Sequence, residues 1–105
     1  MTKELFLIVR TDAQNSAKNR TTNMEAHVKY SVANKHRFCV GGAIRQTADA
    51  MAAGSAMIIH ADNLEDERTF AAQDPFDQAG VYARTAVWHF NVGIGEWVPD
   101  AMKKL

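Results

Sequence analysis

Four histidines, one cysteine and the carboxylate of Asp74 are the side chains of this sequence best suited to chemistry. His27 comes first. With Met24 at the origin of a helical wheel, Val28 and Val32 fall near 40° and 80° and His27 near −60°, at ~100° per residue. His27 therefore borders an apolar stripe, a position that can face a cleft. An imidazole there can change protonation near neutral pH and serve as a general acid or base. The competing reading is a boundary histidine bonded to a carbonyl.

Asp74 comes second. It stands before Pro75, where a helix must stop, and the negative end of a helix dipole disfavours a carboxylate. It is either a turn-forming Asp-Pro or an anion kept to orient or charge a nearby imidazole. The other candidates carry less. His36 falls at a helix end, and His60 and His89 fall on strands. Their spacing fits no metal motif, so no metal site is expected. Cys39 reads as a small core residue. Neither Gly41-Gly42 nor Gly93-Ile94-Gly95 opens a helix as a phosphate loop must. Trp88 and Trp97 could stack on a ligand or pack at an interface.

The elements that must position these residues follow from hydrophobic pattern. Leu5 to Val9 is a continuous apolar run and reads as a buried strand. Ala17 to about Lys35 contains no Pro or Gly and reads as a helix with Ser16 as N-cap, although the polar stretch Asn19 to Asn23 is a weak helix former. Phe38 to Ile44 reads as a second strand with paired glycines that mark a bulge or a close approach. Gln46 to Ala53 is a hairpin loop, and Gly54 to Ala61 a third strand. Asn63 caps a second helix that runs to about Gln73, with Glu65, Asp66 and Glu67 suiting its positive end. Phe76 to Gly80 is a turn, Val81 to Val92 a last strand, and residues 93–105 a tail ending in Lys103-Lys104.

Strand, helix, strand, strand, helix, strand is the ferredoxin-like βαββαβ order of the α+β class. It predicts a four-stranded antiparallel sheet with helices on one face. The opposite face would expose a large apolar patch, so a homodimer through the open sheet face is expected.

Composition bounds the function. A chain of 105 residues suits a single domain, residues 1–105, and a domain of this size buries roughly 60–70% of its unfolded surface. Lys plus Arg and Asp plus Glu balance at 12 each, which argues against a nucleic-acid partner, since phosphate binding shows as a basic excess. No run approaches the ~18 apolar residues of a membrane helix, and the apolar start is too short for a signal peptide. A lone cysteine cannot form an internal disulfide, which points to a cytoplasmic location.

These pieces, in order, resemble the YCII-related (YciI-like) family. They are Thr11-Asp12 with Asn15-Ser16 and Arg20; His27 with Tyr30; Gly41-Gly42; Gly54-Ser55; Asp74-Pro75-Phe76 with Ala79-Gly80; and Trp88 to Gly95. The resemblance implies a ferredoxin-like protomer, a dimeric α/β barrel and an active site built on a His-Asp pair, here His27 and Asp74. Gly41, Gly42, Ser55, Phe76 and Tyr30 would border the ligand. Some members are linked to breakdown of substituted aromatic compounds, and the wider superfamily includes isomerases, lyases and monooxygenases. Two departures stand out. Related sequences often carry Arg-Pro where this chain has Met24-Glu25, and Gly-Pro where it has Gly42-Ala43. Arg10 or Arg20 is the candidate to replace the missing cation.

Two functions fit. In one, the chain is a lyase- or isomerase-type enzyme that needs no cofactor, with His27 moving a proton on an aromatic or enol-like substrate. In the other, it is a non-catalytic dimer that binds a small-molecule ligand in the same pocket.

Overall fold

A computed structural model describes residues 4–96. The order is β1 (Glu4–Asp12), α1 (Ala17–Ala33), a 3-10 turn (Lys35–Arg37), β2 (Phe38–Ile44), β3 (Gly54–Ala61), α2 (Leu64–Ala72), α3 (Pro75–Gln78) and β4 (Tyr82–His89). The four strands form one sheet in the order β2-β3-β1-β4, and every neighbouring pair is antiparallel. The fold is α+β and ferredoxin-like.

Alternation along β1 sets the two faces. Phe6, Ile8 and Arg10 are buried while Leu5, Leu7 and Val9 are only half-buried. The register places Phe6 beside Ile59, Ile8 beside Met57 and Arg10 beside Ser55. These residues face the helices, and Phe70 of α2 packs onto them. The opposite face carries Leu7, Val9, Ile58 and Trp88, with Trp88 64% exposed. Gly54 is required where β3 meets β1, because a Cβ there would collide with the Arg10 carbonyl oxygen.

Three expectations are corrected. The stripe Met24, Val28, Val32 does not enter the core: the residues are 39%, 48% and 67% exposed. The inward face of α1 is instead polar. Ser16, Arg20, Asn23, His27, Tyr30 and Asn34 recur at three- and four-residue spacing, and all six are buried or half-buried while most of their neighbours are exposed. Asn19 to Asn23 is helical, stabilised by Asn23 Nδ2 donating to the Asn19 carbonyl and side-chain oxygens at 2.8 Å each. Ser16 holds the N-cap position without a side-chain cap bond.

The second correction concerns Asp74. It does not end a helix but begins one, because Phe76 to Gln78 continue from Pro75 as the single turn α3. Proline suits the first helical position, and Asp74 Oδ1 accepts the Phe76 N–H at 2.9 Å. The carboxylate therefore meets free N–H groups rather than the carbonyl end of a dipole. The third correction is that β4 is shorter than Val81 to Val92. Val81 precedes the strand as a buried core residue. Trp97 and the basic end lie outside the described residues.

Candidate functional site

The polar face of α1 lies against the helix-facing ends of β1 and β3, and the candidate site forms there. Asp74 is 5% exposed and takes three donors. His27 Nδ1 lies 2.8 Å from Oδ1, the Phe76 N–H 2.9 Å from the same oxygen, and Arg10 Nη1 donates to Oδ2 at 3.3 Å. A carboxylate that is ionised only accepts, so against it Nδ1 is the donor of this contact, and in a neutral imidazole Nε2 is then the acceptor. Among the described residues Nε2 has no hydrogen-bond partner.

Two aromatic rings fix this geometry. Phe76 is fully buried, and its ring stacks on the His27 imidazole with centroids 3.9 Å apart and planes 4° from parallel. The Arg20 guanidinium lies over the same ring, 4.9 Å from its centroid. Helical spacing brings this about, because Arg20 and His27 are two turns apart on one face. Tyr82 meets Phe76 edge-on, and Arg10 lies 5.0 Å above the Tyr82 ring.

A second ion pair adjoins the first. Arg20 grips Asp12 with two bonds, Nε to Oδ2 at 2.8 Å and Nη2 to Oδ1 at 2.9 Å. This bonding raises the Arg20 pKa against the opposing effect of burial. Ser55 Oγ accepts from Arg20 Nη2 at 3.4 Å and lies 3.0 Å from the Tyr82 hydroxyl. Burial pushes the Tyr82 phenol above its ordinary value, so it stays neutral and can donate. Arg10 and Arg20 are thus each held by a carboxylate at the site, as fixed forks of N–H donors.

A cavity of about 430 Å³ opens beside these groups, and Arg10, Arg20, His27, Ser55 and Asp74 are among the residues that line it. Gly41, Gly42 and Tyr30 also line it. Tyr30 is committed elsewhere through its hydroxyl, which donates to the Phe70 carbonyl at 2.6 Å. Phe76 does not reach the cavity wall; it backs the imidazole from behind. His36 and His89 are exposed and Cys39, expected in the core, is exposed with Sγ 3.2 Å from His60 Nε2. Among the described residues no three His, Cys, Asp or Glu side chains gather as metal ligands, and no helix is long and apolar enough to cross a membrane.

The sequence placed Arg20 among the pieces of the family resemblance, and named Arg10 and Arg20 for the site only as substitutes for a missing cation. A signal for Arg10 was present: it continues the inward phase of Phe6 and Ile8, and a charged residue in phase with a core needs a partner. Nothing local singled out Tyr82.

A second cavity of about 420 Å³ lies on the far side of Arg10, lined by Glu67, Arg68, Asp77 and Thr85 among others. Glu67 is 1% exposed. Neither of its carboxyl oxygens has a hydrogen-bond partner among the described residues, and nor does Arg10 Nε. Burial pushes the Glu67 carboxyl up, against the opposing pull of Arg10 and then Arg68.

Comparison with known proteins follows from this geometry. Among solved structures, 5-chloro-2-hydroxyhydroquinone dehydrochlorinase (TftG) from Burkholderia phenoliruptrix AC1100, in complex with 2,5-dihydroxybenzoquinone, is 32% identical with a TM-score of 0.76, covering 82% of this chain and 92% of that one. MtbAldR is similar in fold alone, at 16% identity and TM-score 0.51, over 89% of this chain and 55% of that one. A dimeric ferredoxin-like protein of unknown function from Thermobifida fusca YX aligns at 13% identity and TM-score 0.48, over 86% and 92%. No curated protein gives a significant match. The YCII-related domain matches residues 5–91, and the chain belongs to the YCII-related family.

Proposed function

We propose that the chain is a small-molecule enzyme of the lyase or isomerase type, acting on hydroxylated aromatic or enol-like compounds, with His27 as general acid/base and Asp74 as its orienting partner. The observation that carries the reading is the His27–Asp74 contact of 2.8 Å at the wall of the cavity. Asp74 fixes the tautomer and leaves Nε2 free toward a ligand. Phe76, stacked on the ring, prevents it from turning away. Nε2 takes a proton from substrate carbon or hydroxyl. The electron pair released forms a carbon–carbon or carbon–oxygen π bond and expels a leaving group from the neighbouring carbon. In an isomerisation the same proton returns to a different atom. Such proton transfer contributes roughly 10²–10⁴ in rate. Arg10, Arg20 and Ser55 lie where they can hold substrate oxygens, and Gly41 and Gly42 line the same cavity.

TftG acts on a chlorinated hydroxyhydroquinone, which supports this class of substrate for a relative sharing a third of its residues. The reading extends to a homodimer in which two open sheet faces, each with Leu7, Val9, Ile58 and Trp88, cover one another.

A panel of chlorinated and unsubstituted hydroxyhydroquinones, assayed with the native chain and His27→Gln, tests the proposal. Turnover by the native chain that falls at least about 10²-fold in the variant supports it. Binding of panel members with no turnover by either protein would assign the site to ligand binding alone.

A further inference from the structure

Resting on that reading, we propose that the ligand is a hydroxylated ring bearing an apolar substituent, with the ring at the Arg10–Arg20–His27 end of the cavity and the substituent along the exposed flank of α1. The cavity lining joins those polar groups to an apolar set, Met24, Val28 and Val32 of α1 with Phe38, Met57 and Phe70, beside which Ser31 and Lys35 also reach the cavity. Met24, Val28 and Val32 form the apolar stripe that the core does not use.

The reason lies in β2. Its helix-facing positions, read from the register with β3, are Phe38, Gly41 and Ala43. Gly41 and Ala43 bring little bulk under α1, so the apolar flank of the helix faces a trough instead of a packed strand. The trough floor is closed tightly. A Cβ at Gly41 would lie 3.2 Å from Met57 Cβ and 3.3 Å from Phe38 Cδ1. An apolar helix flank held over a shallow strand is costly in water and becomes favourable once an apolar group lies between them.

Size agrees. At about 430 Å³ the cavity falls within the roughly 300–1,000 Å³ of pockets that enclose drug-sized ligands. A lone six-membered ring seated by the arginines would leave the apolar lining in contact with water. The polar groups orient the ring by hydrogen bonds, and the apolar lining then selects among substituents by burial.

The test is calorimetric titration with 2,5-dihydroxybenzoquinone and with its 3-hexyl derivative, on the native chain and on Val28→Gln. Glutamine keeps helix propensity, and circular dichroism verifies the fold. The expected result is that the hexyl compound binds the native chain at least about tenfold tighter than the parent, the gain from burying about two methylene groups. In Val28→Gln that ratio falls below about threefold. Equal affinity of the two compounds for the native chain overturns the inference and leaves the assignment of the polar end standing. A ratio unchanged by Val28→Gln also overturns it, placing the chain elsewhere, such as on the open sheet face or between two copies. Failure of both compounds to bind overturns the ligand class of the proposed function and this inference with it.

Discussion

Arg10 divides two cavities of similar size that differ in how their polar groups are satisfied. On the α1 side the charged groups around Asp74 are paired: Arg10 and His27 on Asp74, Arg20 on Asp12. On the α2 side the Glu67 carboxyl and Arg10 Nε have none among the described residues. On the proposed reading, the contrast separates an acid/base site from a buried carboxyl. A buried carboxyl alone shifts its own pKa, as Glu67 does, but has nothing to orient. The α1 side pairs a carboxylate with an imidazole, backs the imidazole with an aromatic ring and leaves one nitrogen toward a cavity. Preorganisation, rather than burial, separates the two.

The largest effect should come from the paired side. His27→Gln is expected to lower kcat by about 10²–10⁴ on any substrate the chain turns over, while its melting temperature moves little because the ring is partly exposed. Asp74→Asn should cost nearly as much, since an amide can donate to Nδ1 and stabilise the wrong tautomer. Steady-state kinetics checks both. An equal loss from Glu67→Gln would erase the distinction between the two sides.

Arg10 belongs to both sides, so its removal should act on stability. Arg10→Met takes a buried cation from Asp74 and leaves Glu67 facing less positive charge. A cost of about 3–5 kcal/mol is expected in urea unfolding, the usual result of breaking a buried pair from one end. Loss of under about 1 kcal/mol would mean that the pair contributes nothing structural.

The smallest effect should come from Glu67→Gln, and its pH dependence carries the information. A carboxyl whose folded pKa is raised holds its proton more tightly in the folded state. The stability this provides is fully present below the ordinary carboxylate range and is lost as pH rises through the raised value. Glutamine cannot ionise. The variant should therefore gain on the native chain between about pH 4 and about pH 8, by on the order of 1 kcal/mol, the scale of an unsatisfied buried polar group. Thermal melts at the two pH values read this directly, and a variant that gains nothing on the native chain, or loses ground to it, as pH rises would contradict the assignment.

Much of the fold was legible because its strands are simple. β2 and β3 run over Phe38–Ile44 and Gly54–Ala61, as the apolar runs and glycine boundaries require, and Asn63 caps α2 through the Asp66 N–H. The face of α1 was not legible. Hydrophobic periodicity selects the most apolar stripe as the inward one, whereas this helix turns Arg20, Asn23 and His27 inward and keeps its valines at a cavity. The rule fails where the interior is a polar site, and the failure itself marks that site. Asp74 misled for a local reason: Pro75 stops one helix and starts another, so the same residue reads as an end or a cap. His27 was legible by its position at the border of the stripe, but its stacking on Phe76 requires a contact far apart in sequence.

On the proposed reading Asp74 holds His27 with a proton on Nδ1 and Nε2 free for a ligand, and long-range proton–nitrogen NMR of the labelled imidazole, at a pH where the ring is neutral, reads both nitrogens. A protonated Nδ1 and a bare Nε2 whose resonance shifts on adding 2,5-dihydroxybenzoquinone are expected, with the tautomer preference reversed or lost in Asp74→Asn. A proton on Nε2 in the native chain, or a ring that does not respond to that ligand when binding is seen by calorimetry, would contradict it.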